Sequence, residues 1–269
     1  MAGKAKGASS KRSKGRGTKQ SASSSSAAHM IAEKTRQTQT HIFFRAGPLS
    51  NWHKGRHFSG ARALASAVFQ LDKINTDHPA ETTLSSRLLA AHTFNCGEQW
   101  LMATKGWLFE RDVDLGETTT TDEDFKSLAT QMLAPQPPPK DQPARRQLYM
   151  STLCAVLRTA SPKQQKALGR KCRNFDPAVW DDASVPIVVA GSVARAEADD
   201  MLKRIYLKAG KREFVEGSPV DTIWGVGIHW THPSIEEPAN WRGTNRLGVC
   251  HGLARNIILE KFGNEFVAA

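Results

Sequence analysis

The sequence predicts one α+β domain, mainly α-helical with a few short strands, running from about residue 39 to 269. Three observations point there. Runs with apolar residues at helical spacing outnumber strand-like runs. Serine, aspartate or asparagine stands at the start of several of these runs, twice with proline directly after it, as helix N-termini prefer. A length of 269 residues with no internal repeat fits one large core.

Along the chain, His41 to Phe44 (HIFF) reads as a short strand, and Gly47 and Pro48 turn it into LSNW. Residues 60–74 place Leu64, Ala67, Val68 and Leu71 on one helical face. Thr76 to Ser86 is polar and reads as loop. Gly97 to Arg111 is the strongest helix. Leu115 to Pro143, with TTTT and PQPPPK, reads as an inserted loop around one short helix. Ser161-Pro162 opens a helix to about Lys171, and Asp176-Pro177 repeats the device before Trp180. Asp199 to Lys208 is helical and stops at Gly210. Arg212 to Glu216 reads as a strand and Ile223 to Ile228 as another. Asn245 is expected to cap a last helix that ends near Phe262.

The net charge of +11 is concentrated in a tail. Lys4, Lys6, Lys11, Arg12, Lys14, Arg16 and Lys19 supply most of it, and no acidic residue precedes Glu33. Residues 1–38 are therefore read as a basic, Ser/Lys-rich tail; its first 28 have no Leu, Ile, Val or Phe to bury and are expected to be disordered. KRSKGR reads as a nuclear-localisation tract or a nucleic-acid-attracting arm, against the bland alternative of a solvated tail. The tail has no amphipathic face of a transit peptide and no apolar secretory core. Nor does any stretch reach the roughly 18 apolar residues a membrane span needs. A cytoplasmic or nuclear location, nucleic acid as a partner through the tail, and no membrane partner are expected. Cys96, Cys154, Cys172 and Cys250 are widely spaced and form no CxxC pair, so neither a disulfide framework nor a zinc site is expected. His229 and His232 (HWTH) lack a third ligand at metal spacing.

Two segments can carry chemistry. At helical pitch Glu98, Leu101, Met102, Lys105 and Phe109 share one face, with Glu98 and Lys105 about 10 Å apart along the axis. Charges on an apolar stripe are costly unless a pocket solvates or pairs them; the alternative is a stripe edge from which both snorkel to water. In EFVEGSPVDTIWGVG, Glu216 and Asp221 flank a turn and Trp224 precedes Gly225, a set suited to a nucleotide. The plainer alternative makes Asp221 a turn cap and Trp224 core, and from this segment alone it is favoured. Arg170 reads as a phosphate ligand or as a cation complementing a helix C-terminus. Asn245 reads as a cap, or as marking a helix start that offers N–H groups to an anion.

Taken in order, FF…GPLSNW, GEQWLMATKGWLFERD, ALGRKCRNFDPAVWDD, LKAG…FVEGSPVDTIWGVG and WRGTNRLGVCHGLAR resemble the NADAR family, known also by its YbiA-like bacterial members. The family pattern is LSNF, an EHxxQxxK helix, GR…W, LVE…D..WG.G and N.LG..L…R. The resemblance spans about 43–260, with insertions near 60–90 and 113–150. It implies a NADAR-like domain that hydrolyses an N-glycosidic bond, in ADP-ribosylated guanine or in a riboflavin-pathway nucleotide, without metal or other cofactor. It implies catalytic roles for Glu98, Lys105 and Asp221. It implies substrate contacts from Gly47, Ser50, Asn51, Arg170, Trp180, Glu216, Trp224, Gly225 and Asn245. An ADP-ribose-type nucleotide is the implied partner, and a non-catalytic ADP-ribose reader is the rival class. The chain departs from the pattern at Gln99, where the family has His, and at Arg195 to Asp199 (RAEAD), where it has KFxQN.

Overall fold

The computed structural model describes residues 1, 3, 34–111 and 121–267, with side chains through 264. The disorder expected of the basic tail, and the first part of the 113–150 insertion, lie outside the described residues. The expected class holds: among the described residues, ten α-helices surround a few short strands.

The strands are β1 (Thr35–Gln37), β2 (His41–Phe44), β3 (Phe58–Ser59), β4 (Thr93–Phe94) and β5 (Glu213–Glu216). β2 is central in a three-stranded sheet, antiparallel to β1 and parallel to β5, with Phe44 opposite Glu216. β1 falls in the segment assigned to the tail: Thr35 is buried opposite Phe44, so the folded part begins several residues before position 39. β3 and β4 form a separate two-stranded ribbon.

The helices are α1 (Gly60–Lys73), α2 (Leu84–Ala91), α3 (Gly97–Phe109), α4 (Asp122–Leu133), α5 (Pro143–Met150), α6 (Thr152–Leu157), α7 (Pro162–Gly169), α8 (Pro177–Ala198), α9 (Asp200–Lys208) and α10 (Arg246–Val267). Local chemistry accounts for several starts. Asp176 Oδ1 accepts from the N–H of Ala178 and Val179, and Asp199 Oδ1 from Met201 and Leu202, so each aspartate satisfies first-turn donors. Asp199 ends α8 and caps α9, which turns the chain between them.

α3 is the central helix rather than a surface one. Trp100, Leu101, Ala103, Trp107 and Leu108 are all buried, and it packs on α6, α7 and α8. Trp100 donates from Nε1 to the Ile187 carbonyl of α8 at 2.7 Å. Just past α3, the buried Glu110 accepts from Thr152 N, Thr152 Oγ1 and Arg173 N at 2.7 to 2.9 Å, tying α6 and the segment after α7 to its end.

Three local expectations change. The 76–86 loop gives way at Leu84 to α2, capped by Thr83. The 113–150 insertion holds α4 and α5, which with Leu84, Leu88 and Cys154 close a second apolar cluster around Met132 and Leu148. Residues 223–228 form no strand: their backbone groups bond to scattered partners, Val226 N to Glu216 O and Arg242 N to Val226 O, and Gly227 has φ +72°. Periodicity found the apolar residues there, but no neighbouring strand offers them a ladder.

Candidate functional site

The site is built where the loop after β2 meets the N-terminus of α3. Gly47, at φ +75°, starts the loop, and its next four carbonyls are all accepting hydrogen bonds from the protein. Arg195 Nη2 donates to Pro48 O (2.7 Å) and Ser50 O (3.0 Å), and its Nη1 to Asn51 Oδ1 (3.4 Å). His251 Nε2 lies 2.7 Å from Leu49 O, and Asn51 O accepts from Glu98 N at 2.8 Å. A carbonyl can only accept, so His251 Nε2 carries the proton and Nδ1 accepts from Tyr206 Oη at 2.7 Å. Burial, aided by Arg195, pushes the His251 pKa down to about 3, which keeps the ring neutral. A Cβ on Gly97 would stand 2.4 Å from Asn51 Oδ1, so only glycine lets α3 approach the loop this closely.

This scaffold aims two side chains at one point. Glu98 is 5% exposed, and Trp52, 46% exposed, donates from Nε1 to Glu98 Oε2 at 3.2 Å. Burial raises the Glu98 pKa to about 7, with Asp221 adding to the rise; Lys166, the Trp52 hydrogen bond and Arg170 oppose it. Asp221 holds its own turn: Oδ1 accepts from Ile223 N (3.1 Å) and Trp224 N (2.9 Å), while Oδ2 lies 3.8 Å from Lys166 Nζ. It is therefore the turn cap that the plainer alternative made it, and it also faces the charges around Glu98. Glu216, at the end of β5, is 8% exposed, and burial together with Asp221 raises its pKa to about 8 against Arg45 and Lys166. A Cβ on Gly225 would stand 2.8 Å from the Glu216 carbonyl, so the Asp221 turn can fold back on β5 only with glycine there.

Several expected site residues stand elsewhere. Lys105 is not the cation at Glu98. Its Nζ lies 3.6 Å from the Phe175 ring centroid and 5.5 Å from that of Trp180, in an aromatic cluster completed by Phe109. Met102, against which Gly169 packs, lies between them along the helix, and Lys166 supplies the positive charge at Glu98. Burial lowers the Lys105 pKa. Lys166 and Arg170 are four residues apart on and just after α7, a spacing that marks one helix face and is legible in the sequence.

Asn245 is neither a side-chain cap nor an anion ligand. Its Oδ1 accepts from Glu216 N (3.0 Å) and its Nδ2 donates to Phe214 O (2.8 Å), so the amide pins β5. At the start of α10 the N–H groups of Asn245, Arg246 and Leu247 are taken: they bond to the carbonyls of Gly225, Ile223 and Trp224. Trp180 belongs to the Lys105 cluster, and Trp224 lies 5.9 Å below the Arg246 guanidinium, which pairs with Asp181 at 2.6 Å. Ser50 Oγ accepts from Trp52 N at 3.2 Å and helps set the indole.

Arg195, where the sequence departs from the family pattern, is the clamp of this loop. Arg195→Met removes donors from three acceptors, two of them buried, so unfolding free energy is expected to fall by about 3 kcal/mol, or roughly 6–12 °C in Tm. Thermal unfolding at neutral pH checks this; an unchanged Tm would show that the loop holds without the guanidinium.

A family model described as the NADAR domain matches residues 140–258. Arg170, Glu216 and Asp221 lie inside that range; Trp52, Glu98 and Lys105 precede it. An N-glycosidase of Acanthamoeba polyphaga mimivirus is 40% identical over 85 residues, covering 31% of this chain and 49% of the viral protein. The protein irg-1 of Caenorhabditis elegans is 28% identical over 95 residues, 35% of this chain and 45% of its own. The chain thus spans about half the length of these curated relatives.

Proposed function

We propose that this chain, which belongs to the NADAR domain family over residues 140–258, is an N-glycosidase. It cleaves the bond between ribose C1″ and a base nitrogen in an ADP-ribosylated base or related phosphoribosyl nucleotide, with ADP-ribosylated guanine in nucleic acid as the leading substrate. The observation that carries this reading is Glu98: a buried carboxyl held by an exposed indole, with a second carboxyl and two cations around it. The name of the mimiviral relative supports the reaction class.

N-glycosidic hydrolysis passes through an oxocarbenium-like state. Glu98 is placed to stabilise that charge and to take a proton from the attacking water, and its pKa near 7 suits a base at neutral pH. Trp52 orients Glu98 through its N–H and offers an exposed ring face for a base to stack on. Lys166 and Arg170 supply positive charge for phosphate, and Asp221 holds Lys166 and is the candidate ribose anchor. Gly47, Ser50 and Asn51 act through the loop that carries Trp52.

A second route is favoured by the depressed pKa of Lys105. A neutral Nζ adds its lone pair to C1″ as the bond to the base breaks, the base leaving with the electron pair of the broken bond and taking the proton that Nζ sheds. Ring opening gives an iminium, and water then releases the sugar and returns the amine. A nucleotide running along α3 past Met102 would reach both ends of the stripe.

Incubation with guanine-ADP-ribosylated DNA, and separately with a phosphoribosyl pyrimidine of riboflavin-precursor type, tests the reading by mass spectrometry. The expected result is free ADP-ribose and restored guanine. Release of the pyrimidine alone would move the substrate to the riboflavin-precursor class. Tight ADP-ribose binding with no product from either would make the domain a reader.

A further inference from the structure

The steps above leave another buried carboxyl, Glu216, without a task. Its backbone is fully engaged. It pairs with Phe44 in the sheet, its N–H bonds to Asn245 Oδ1, and its carbonyl accepts from Ser218 N and Val226 N. Its side chain is the opposite case: Oε2 is buried with no hydrogen-bond partner among the described residues. An unmatched buried carboxyl oxygen destabilises a fold, so packing gives no reason for a glutamate here.

We propose that Glu216 is the proton donor to the departing base, entering the reaction as the neutral carboxylic acid while Glu98 enters as the carboxylate. The proposal rests on the N-glycosidase reading. A base that leaves a ribose carries off the electron pair of the C1″–N bond and departs readily only if a ring nitrogen is protonated. A carboxylate has no proton to give, whereas a carboxylic acid has one O–H. The surroundings divide the two roles. Glu98 has the Trp52 N–H as a donor and Lys166 and Arg170 as nearby cations. Glu216 Oε2 has no donor among the described residues, and the side chain faces Asp221, with Arg45 after β2 and Lys166 on α7 as its cations. From α10, packed on β5, Arg255 is bonded to the Gly210 and Arg212 carbonyls, Arg246 is paired with Asp181, and His251 is neutral. Glu98, raised to about 7, therefore ionises before Glu216, raised to about 8. Two carboxyls whose environments separate their ionisation in this way are suited to opposite roles in one reaction.

The step balances. The C1″–N bond breaks, its electron pair goes to the base nitrogen, and that nitrogen takes the Glu216 proton. Water bonds to C1″ and gives a proton to Glu98. One water is consumed, and exchange with solvent restores both carboxyls.

The test measures kcat/KM against pH for a purine N-glycoside. The wild type is expected to give a bell with limbs near 7 and 8. Glu216→Gln is expected to lose on the order of 100-fold and to lose the alkaline limb. A Gln variant with wild-type kcat and an intact alkaline limb would overturn the proposal. Carbon-13 carboxyl NMR of the glutamate-labelled wild type adds a readout that needs neither a variant nor turnover. Two glutamates titrating above about pH 6 are expected, against an ordinary value near 4.3. An active enzyme with fewer than two overturns the donor role alone. An inactive protein that shows both overturns the N-glycosidase reading, and the donor role with it.

Discussion

Glu98→Gln is expected to lower turnover by on the order of 100-fold or more while leaving KM near its original value. Glutamine keeps the shape of the side chain and an oxygen for the Trp52 N–H, so the loop and the start of α3 stay in place. It removes the charge that faces the developing cation and the base that takes a proton from water. The same variant makes a separable statement about stability. The folded pKa of Glu98 is raised, so its contribution is fully present below the unfolded value and is lost as pH rises through about 7. Glutamine cannot ionise and does not lose it. Above about pH 8 the variant should therefore melt higher than the wild type, and near pH 4 the two should melt together. Steady-state kinetics and thermal unfolding across pH check both halves. A folded Glu98→Gln protein with near-normal turnover would sink the catalytic assignment whatever its Tm.

On the covalent second route, Lys105→Arg is expected to abolish turnover, and borohydride added during turnover of the wild type should leave one ADP-ribose-sized mass on Lys105. Two forces act on this amine. Burial among Phe175, Trp180 and Phe109 favours the neutral form, whereas the Phe175 ring face favours the cation. Glu98, which a shared pocket would have made the decisive opposing charge, is not among the groups that shift it, and the net direction is down. Arginine stays protonated at any working pH, so it keeps the charge over the ring and loses the nucleophile. Peptide mass mapping after reduction locates the adduct. An active Lys105→Arg enzyme with no trappable adduct would confine Lys105 to binding and leave water, activated by Glu98, as the nucleophile.

The sequence by itself determined what acts within a few residues. Asp176 and Asp199 cap α8 and α9 because an aspartate beside a first turn finds its donors two and three positions on. Glu98 stood out because a carboxylate on an apolar stripe is costly at any helix packing. Tertiary structure decided the partners. Lys166 rather than Lys105 is the lysine whose charge acts on Glu98, because α7 packs on α3, while the lysine seven residues on is turned into an aromatic cluster. Arg195 clamps the Pro48 and Ser50 carbonyls from 147 and 145 residues away, and Asn245 pins β5 across 31. No period or cap encodes such pairs: they form only when buried backbone groups must find donors, and which donor arrives depends on how whole helices pack. The 223–228 segment misled for the same reason. Its apolar residues have the composition of a strand, but a strand exists only beside another, and the folded chain brings helix α10 to those carbonyls instead.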